Sequence, residues 1–143
     1  MRKIIEGNVD LRWLYLTELF DLSDVEVEGI FNCSRNTLSN LKGSPHTVGG
    51  NYFCHDNILT SLKGSPHTVG GNFNCSNNKL TNLIGSPHTV IGGFFCYDNP
   101  LTSLEGIPKT IGGHFWMSTQ LSDKFSREYI CSLSNIRLGV IYL

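Results

Sequence analysis

Four near-copies of one 21-residue unit occupy the middle of the chain, and this fixed period constrains the fold more than any other feature. Phe31-Asn-Cys33, Tyr52-Phe-Cys54, Phe73-Asn-Cys75 and Phe94-Phe-Cys96 align without a gap and bring Asn36, Asn57, Asn78 and Asn99 into one column. Leu38, Leu59, Leu80 and Leu101 follow two residues later, then Leu41, Leu62, Leu83 and Leu104, then Gly-x-Pro starting at Gly43, Gly64, Gly85 and Gly106. A unit this short cannot bury its own apolar residues and needs a neighbour on each side, so the repeat dictates stacked coils. The chain is read as a solenoid.

Each Phe-x-Cys segment alternates inward and outward, the period-2 signature of a strand, and stacking in register makes a parallel sheet with one strand per coil. Six coils then span roughly 24 Å at about 4.8 Å each. Gly-x-Pro and the pairs Gly49-Gly50, Gly70-Gly71, Gly92-Gly93 and Gly112-Gly113 are turn chemistry, since Gly admits positive φ and Pro pre-sets φ. The return path is therefore expected to be extended or turn-like, and the fold class a mainly β repeat solenoid.

The array's ends carry altered copies within what reads as one domain, 1–143. A shift of 22 residues sets Gly7 under Gly29, Val9 under Phe31, Leu11 under Cys33, Leu16 under Leu38 and Leu19 under Leu41, with Leu14 in the Asn column. Residues 7–28 are thus an N-terminal cap coil, its far end wetted by Glu18, Asp21, Asp24, Glu26 and Glu28. The four repeats fill 29–112. A last strand lies in 113–121, where Phe115-Trp-Met117 repeats the pattern with Met in the Cys column. Over 122–143 the period changes: Ser122-Asp123 reads as an N-cap for a capping helix whose face carries Phe125, Tyr129, Ile130 and Leu133. The apolar tail from Ile136 to Leu143 returns to pack on the array or on a partner.

Composition narrows the function classes. Formal net charge is −1, and the eleven Lys and Arg residues form no run, which argues against nucleic acid as the main ligand. No segment approaches the apolar length of a membrane span and the first residues do not form a signal peptide, so a cytoplasmic protein is expected. No Ser/His/Asp set, paired carboxylates, phosphate loop or metal-ligand spacing appears, so no enzyme activity, cofactor or metal is expected.

Several columns tempt a functional reading. The Asn column is read as structural, because a buried amide at a strand-to-turn corner can satisfy backbone groups of its own and the adjacent coil. Cys33, Cys54, Cys75 and Cys96 form a line rather than a tetrahedral cage and read as small core residues, free in a reducing compartment. His46, His67 and His88 each follow a proline, with Lys109 closing the column. They form a candidate anion-binding column; the alternative is a solvated turn repeated with its sequence.

The outward strand positions carry the preferred binding surface. They read Asn32, Phe53, Asn74, Phe95 and Trp116, then Ser34, His55, Ser76, Tyr97 and Ser118 just past the Cys column. Large aromatics on an open sheet face are typical interface anchors. Arg35, Asp56, Asn77 and Asp98 line the adjacent edge with mixed charge. Alternatively, the aromatics stack on one another along the ladder or lie under the C-terminal tail.

The unit Phe-x-Cys-x-x-Asn-x-Leu-x-x-Leu resembles the leucine-rich-repeat signature LxLxxNxL, and Asn74-Cys-Ser-Asn-Asn-Lys-Leu-Thr-Asn-Leu-Ile-Gly-Ser-Pro-His-Thr-Val resembles the short leucine-rich repeats of tailed-bacteriophage proteins and some bacterial relatives. The resemblance covers about residues 7–119. It implies an arc with a concave parallel sheet and an extended convex side, and carries over no ligand; a phage-encoded protein in the host cytoplasm with a host bacterial protein as partner is the expectation drawn from concave-face binding. His after the proline, where the resemblance leads one to expect Lys, and Leu14 are departures from it. The expected function is a non-catalytic module that binds and modulates a host protein through Phe53, His55, Phe95, Tyr97, Trp116, Arg35, Asp56 and Asp98. The alternative is a small-ligand or nucleotide-binding protein using His55 and the His46 column. A homodimer through the aromatic strip or the apolar tail is also open.

Overall fold

The computed structural model describes residues 2–143. In chain order the strands are β1 (Lys3–Ile5), β2 (Val9–Asp10), β3 (Val25–Val27), β4 (Phe31–Asn32), β5 (Thr47–Val48), β6 (Tyr52–Phe53), β7 (Thr68–Val69), β8 (Phe73–Asn74), β9 (Thr89–Val90), β10 (Phe94–Phe95), β11 (Thr110–Ile111) and β12 (His114–Met117). Helix α1 (Arg127–Leu133), β13 (Asn135–Ile136) and β14 (Gly139–Tyr142) complete the chain. Every odd strand joins one seven-stranded parallel sheet, β1-β3-β5-β7-β9-β11-β13, and every even strand a second, β2-β4-β6-β8-β10-β12-β14. The molecule is a β solenoid of seven turns with two sheets, each turn contributing one short strand to each.

The return path is extended, as the turn residues imply, but ordered enough to form a sheet of its own. Its rungs are Thr47-Val48, Thr68-Val69, Thr89-Val90 and Thr110-Ile111, each with a buried Val or Ile. These β-branched residues face the core opposite the aromatic column. Phe31, Tyr52, Phe73, Phe94 and Phe115 stack at centroid separations of 5.3, 5.2, 5.3 and 5.7 Å, and both leucine columns are buried between the sheets. Tyr52 fits a Phe column because its hydroxyl meets Ser44 Oγ at 2.6 Å inside the core.

Two glycine classes serve different ends. Gly43, Gly64, Gly85 and Gly106 have φ between 88 and 95°, which an L side chain strains to adopt. The Gly-Gly pairs have no positive φ; their role is close approach, since a Cβ on Gly50 would stand 2.8 Å from the carbonyl oxygen of Gly29 in the preceding coil.

The first coil stacks with the 22-residue shift: Val9 pairs with Phe31, and the Gly29 N–H donates to Gly7 O at 3.1 Å. Stacking also includes Lys3–Ile5, upstream of Gly7, because Ile5 enters the Val27 and Val48 column. At the other end the tail is itself a seventh coil. β13 pairs with β11 and β14 with β12, so the stack spans roughly 29 Å in place of 24 Å. The helix starts later than the sequence suggests. Ser122 is spent in a 3₁₀ turn over Thr119–Leu121, and Ser126 caps α1 by accepting the Tyr129 N–H at 3.1 Å. Ile130 is buried with Phe125 just ahead of the helix, whereas Tyr129 and Leu133 are exposed, so the buried stripe is narrower than expected. The helix packs on β14, where Arg127 Nε donates to Val140 O at 3.2 Å and the guanidinium lies 5.1 Å from the Tyr142 ring centre.

Candidate functional site

The even-numbered sheet presents one outward row per coil. In stacking order it reads Asp10, Asn32, Phe53, Asn74, Phe95, Trp116 and Ile141. The polar coils lock their own side chains: Asn32 Oδ1 accepts from the N–H and hydroxyl of Ser34 at 3.0 and 2.7 Å, and Asn74 does the same for Ser76 at 3.0 and 2.6 Å. This is Asx-type closure, the side chain bonding the backbone two residues on. The coils between them carry rings instead.

Phe53 meets His55 edge-on at 6.0 Å between ring centres, and Phe95 stacks on Trp116 at 5.4 Å with Tyr97 beside it in the next outward position. His114 packs edge-on against Trp116 at 5.8 Å. All of these rings are half-buried, because each is supported by its neighbours. The tail does not lie over them: β14 runs beside Trp116 and extends the row with Ile141. The face therefore bears two aromatic ridges, at Phe53 and at Phe95 with Trp116. The polar rung of Asn74 separates Phe53 from Phe95, which stands two coils away, roughly 10 Å.

Beside the ridges runs a row of residues in the left-handed region: Trp13 (φ 60°), Arg35 (59°), Asp56 (55°), Asn77 (51°) and Asp98 (55°). Asp and Asn tolerate this conformation through local hydrogen bonds, whereas Trp13 and Arg35 are held in it by the stack. The Asp56 carboxylate is the hub. It lies 2.9 Å from His55 Nδ1 and 3.8 Å from Arg35 Nε, and accepts from Asn77 Nδ2. Burial pushes its pKa up, but the hydrogen bonds from His55 and Asn77 and the charges of His55 and Arg35 outweigh this and hold it below the ordinary carboxylate value. Arg35 also lies over the Trp13 ring at 5.1 Å. Asp98 stands apart from this network, its N–H donating to Ser118 Oγ at 2.7 Å.

The Asn column forms a ladder. Asn57 Nδ2 donates to Cys33 O and Cys54 O, both at 3.1 Å, and its Oδ1 accepts the Leu38 N–H at 3.0 Å; Asn78 and Asn99 repeat the pattern one and two coils on. In the first coil, where Leu14 replaces Asn, Asn36 accepts from the N–H groups of both Leu14 and Leu16. The four column cysteines are buried and all five thiols are free. Burial pushes the Cys33 thiol up to about 12 and raises Cys54, Cys75 and Cys96 as well. Among the described residues, no three His, Cys, Asp or Glu side chains gather to hold a metal ion, and no helix is long and apolar enough to cross a membrane.

His46, His67, His88 and Lys109 stand on the other sheet, each immediately before its Thr-Val or Thr-Ile rung, apart from the aromatic ridges. Sequence reasoning missed Trp13, 63% exposed, which sets an aromatic ring in the first coil beneath Arg35; the still more exposed Tyr15, 89%, lines a separate groove with residues 16–21. The signal was present, since the 22-residue shift sets Trp13 directly under Arg35.

Comparison with protein-family models, curated proteins and solved structures finds no match.

Proposed function

We propose that this protein is a non-catalytic, leucine-rich-repeat-type binding module that engages a protein partner through the outer face of its even-numbered sheet. The observation that carries the reading is the pair of aromatic ridges, Phe53 with His55 and Phe95 with Trp116 and Tyr97. They stand on paired parallel strands and are bordered by the charged row of Arg35, Asp56 and Asp98. Rings already held by their neighbours lose little side-chain freedom on binding, and apolar anchors beside a rim of mixed charge match the anatomy of protein interfaces. The repeat's resemblance to short leucine-rich repeats of phage proteins supports reading the protein as phage-encoded, and a host bacterial protein met in the host cytoplasm as the partner this reading proposes.

The test is capture from a bacterial lysate with wild-type bait and with F53D/W116D. Both positions are half-buried and point away from the core, so both baits are expected to fold with melting temperatures within a few degrees of each other. A protein held by the wild type and lost by the variant supports the reading. Identical captured sets from two folded baits refute it.

A further inference from the structure

The odd-numbered sheet carries a second constructed surface, independent of the aromatic ridges. At the entry to β5, β7, β9 and β11 the backbone runs His46, His67, His88, Lys109, each N–H after the first donating to the preceding member's carbonyl at 2.9, 2.9 and 3.0 Å. The imidazoles stack nearly parallel, with centres 6.2 and 5.1 Å apart and planes within 9 and 8°. Nδ1 of His67 and of His88 lies 3.2 and 3.0 Å from the hydroxyl of Thr68 and of Thr89, which leaves Nε2 as the free ring nitrogen in each.

The column borders an open groove of about 520 Å³ that runs over the coils from Ser23 to Lys109, and no carboxylate contributes to its lining. The acids nearest in register have solvent-accessible side chains: Asp24 lies 3.7 Å from Lys3, Glu26 lies 3.9 Å from Arg2, and Glu105 sits on a turn whose row also holds Lys42 and Lys63. β13 adds Asn135, whose N–H donates to Lys109 O at 2.9 Å. Among the described residues, no three His, Cys, Asp or Glu side chains gather here to hold a metal ion.

We propose that this column is the binding site for an extended oligophosphate anion, held by one imidazole per coil and by Lys109. An anion with negative charge distributed along its length meets a donor about every 4.8 Å down the stack. Imidazole charges between pH 5 and 8, and stacked imidazolium rings repel one another. The bound anion offsets that repulsion, so binding takes up protons and strengthens as pH falls.

The experiment is calorimetric titration with inorganic tripolyphosphate at fixed ionic strength, at pH 5.5 and 7.5. Wild type, H67Q/H88Q, K109Q and the exposed control K79Q are compared, each checked for an unchanged melting temperature. Protonated imidazoles add charge-assisted hydrogen bonds to the anion, so binding is expected to be about tenfold or more tighter at pH 5.5 for the wild type. H67Q/H88Q is expected to lose at least that factor at pH 5.5 and to flatten the pH dependence. K109Q is expected to weaken binding at both pH values, and K79Q at neither. No binding at pH 5.5, equal affinity at the two pH values, an undiminished H67Q/H88Q, or sulfate at equal charge concentration binding as tightly would each overturn the proposal.

Discussion

Asn78→Ala probes the ladder where both of its sides are complete. The Asn78 amide donates to Cys54 O at 3.1 Å and Cys75 O at 3.0 Å, and its oxygen accepts the Leu59 N–H at 3.0 Å. Each carbonyl keeps one other partner after truncation, Asn57 for Cys54 and Asn99 for Cys75. Leu59 N–H loses its acceptor in a fully buried position, at a cost of about 1–3 kcal/mol, and the two lost donations add about 1 kcal/mol each. The expected loss is therefore about 3–5 kcal/mol, or roughly 10–17 °C in melting temperature for a chain of this length. Asn78→Asp sharpens the test. It keeps an acceptor for Leu59 but sets a carboxylate against two carbonyl oxygens, which raises its folded-state pKa. Its deficit relative to wild type should therefore shrink as pH falls and the carboxyl protonates. Urea unfolding followed by circular dichroism measures both variants. A loss below about 1 kcal/mol for Asn78→Ala, or a deficit of Asn78→Asp that does not change with pH, would refute the backbone-support role.

Three further outcomes follow from the same geometry. Gly64→Ala places a Cβ 2.5 Å from the carbonyl carbon of Leu41 at φ 94°, and is expected to cost more than the roughly 1–3 kcal/mol typical of backbone strain alone, read as a lower urea midpoint. In the native state only Cys131, which is exposed, should react quickly with a thiol reagent at neutral pH, with the four buried thiols released on unfolding; more than one fast thiol would contradict the packing. Because the Asp56 carboxyl is held below its ordinary value, its contribution to stability is present above the unfolded carboxylate pKa near 4 and is lost as pH falls through the lower folded value. Asp56→Asn should therefore show a shallower acid-induced loss than wild type, and parallel curves would exclude the coupling.

The periodicity made most of the fold legible, because stacking places equivalent residues in equivalent environments. Phe31 to Phe115, the leucine columns and the Asn ladder could all be assigned from their spacing. What escaped was local. The second sheet was foreseen only as an extended path, since a two-residue Thr-Val rung is too short to show an alternation. The seventh coil was hidden because Ile136 and Val140 enter the array after a helix and without the Cys-x-x-Asn-x-Leu signature that marks the others. The helix start was misplaced because Ser122-Asp123 and Ser126 are both plausible caps in sequence, and the 3₁₀ turn at Thr119–Leu121 decides between them. At the candidate site, spacing placed the outward row correctly in the sheet. It did not show that Arg35 and Asp56 lie in the left-handed region, or that Asp56 joins His55, Asn77 and Arg35 in one network. Those contacts depend on side-chain reach across neighbouring coils, which a column alignment does not encode.

The most direct measurement of the binding account is hydrogen exchange on the protein alone and in complex with the partner captured by the wild-type bait. The account expects new protection at residues 52–56, 94–98 and 114–118, with little change at 44–46, 65–67 and 86–88. Protection confined to the His46, His67 and His88 turns, or to the two ends of the stack, would contradict it and move the partner off the aromatic face.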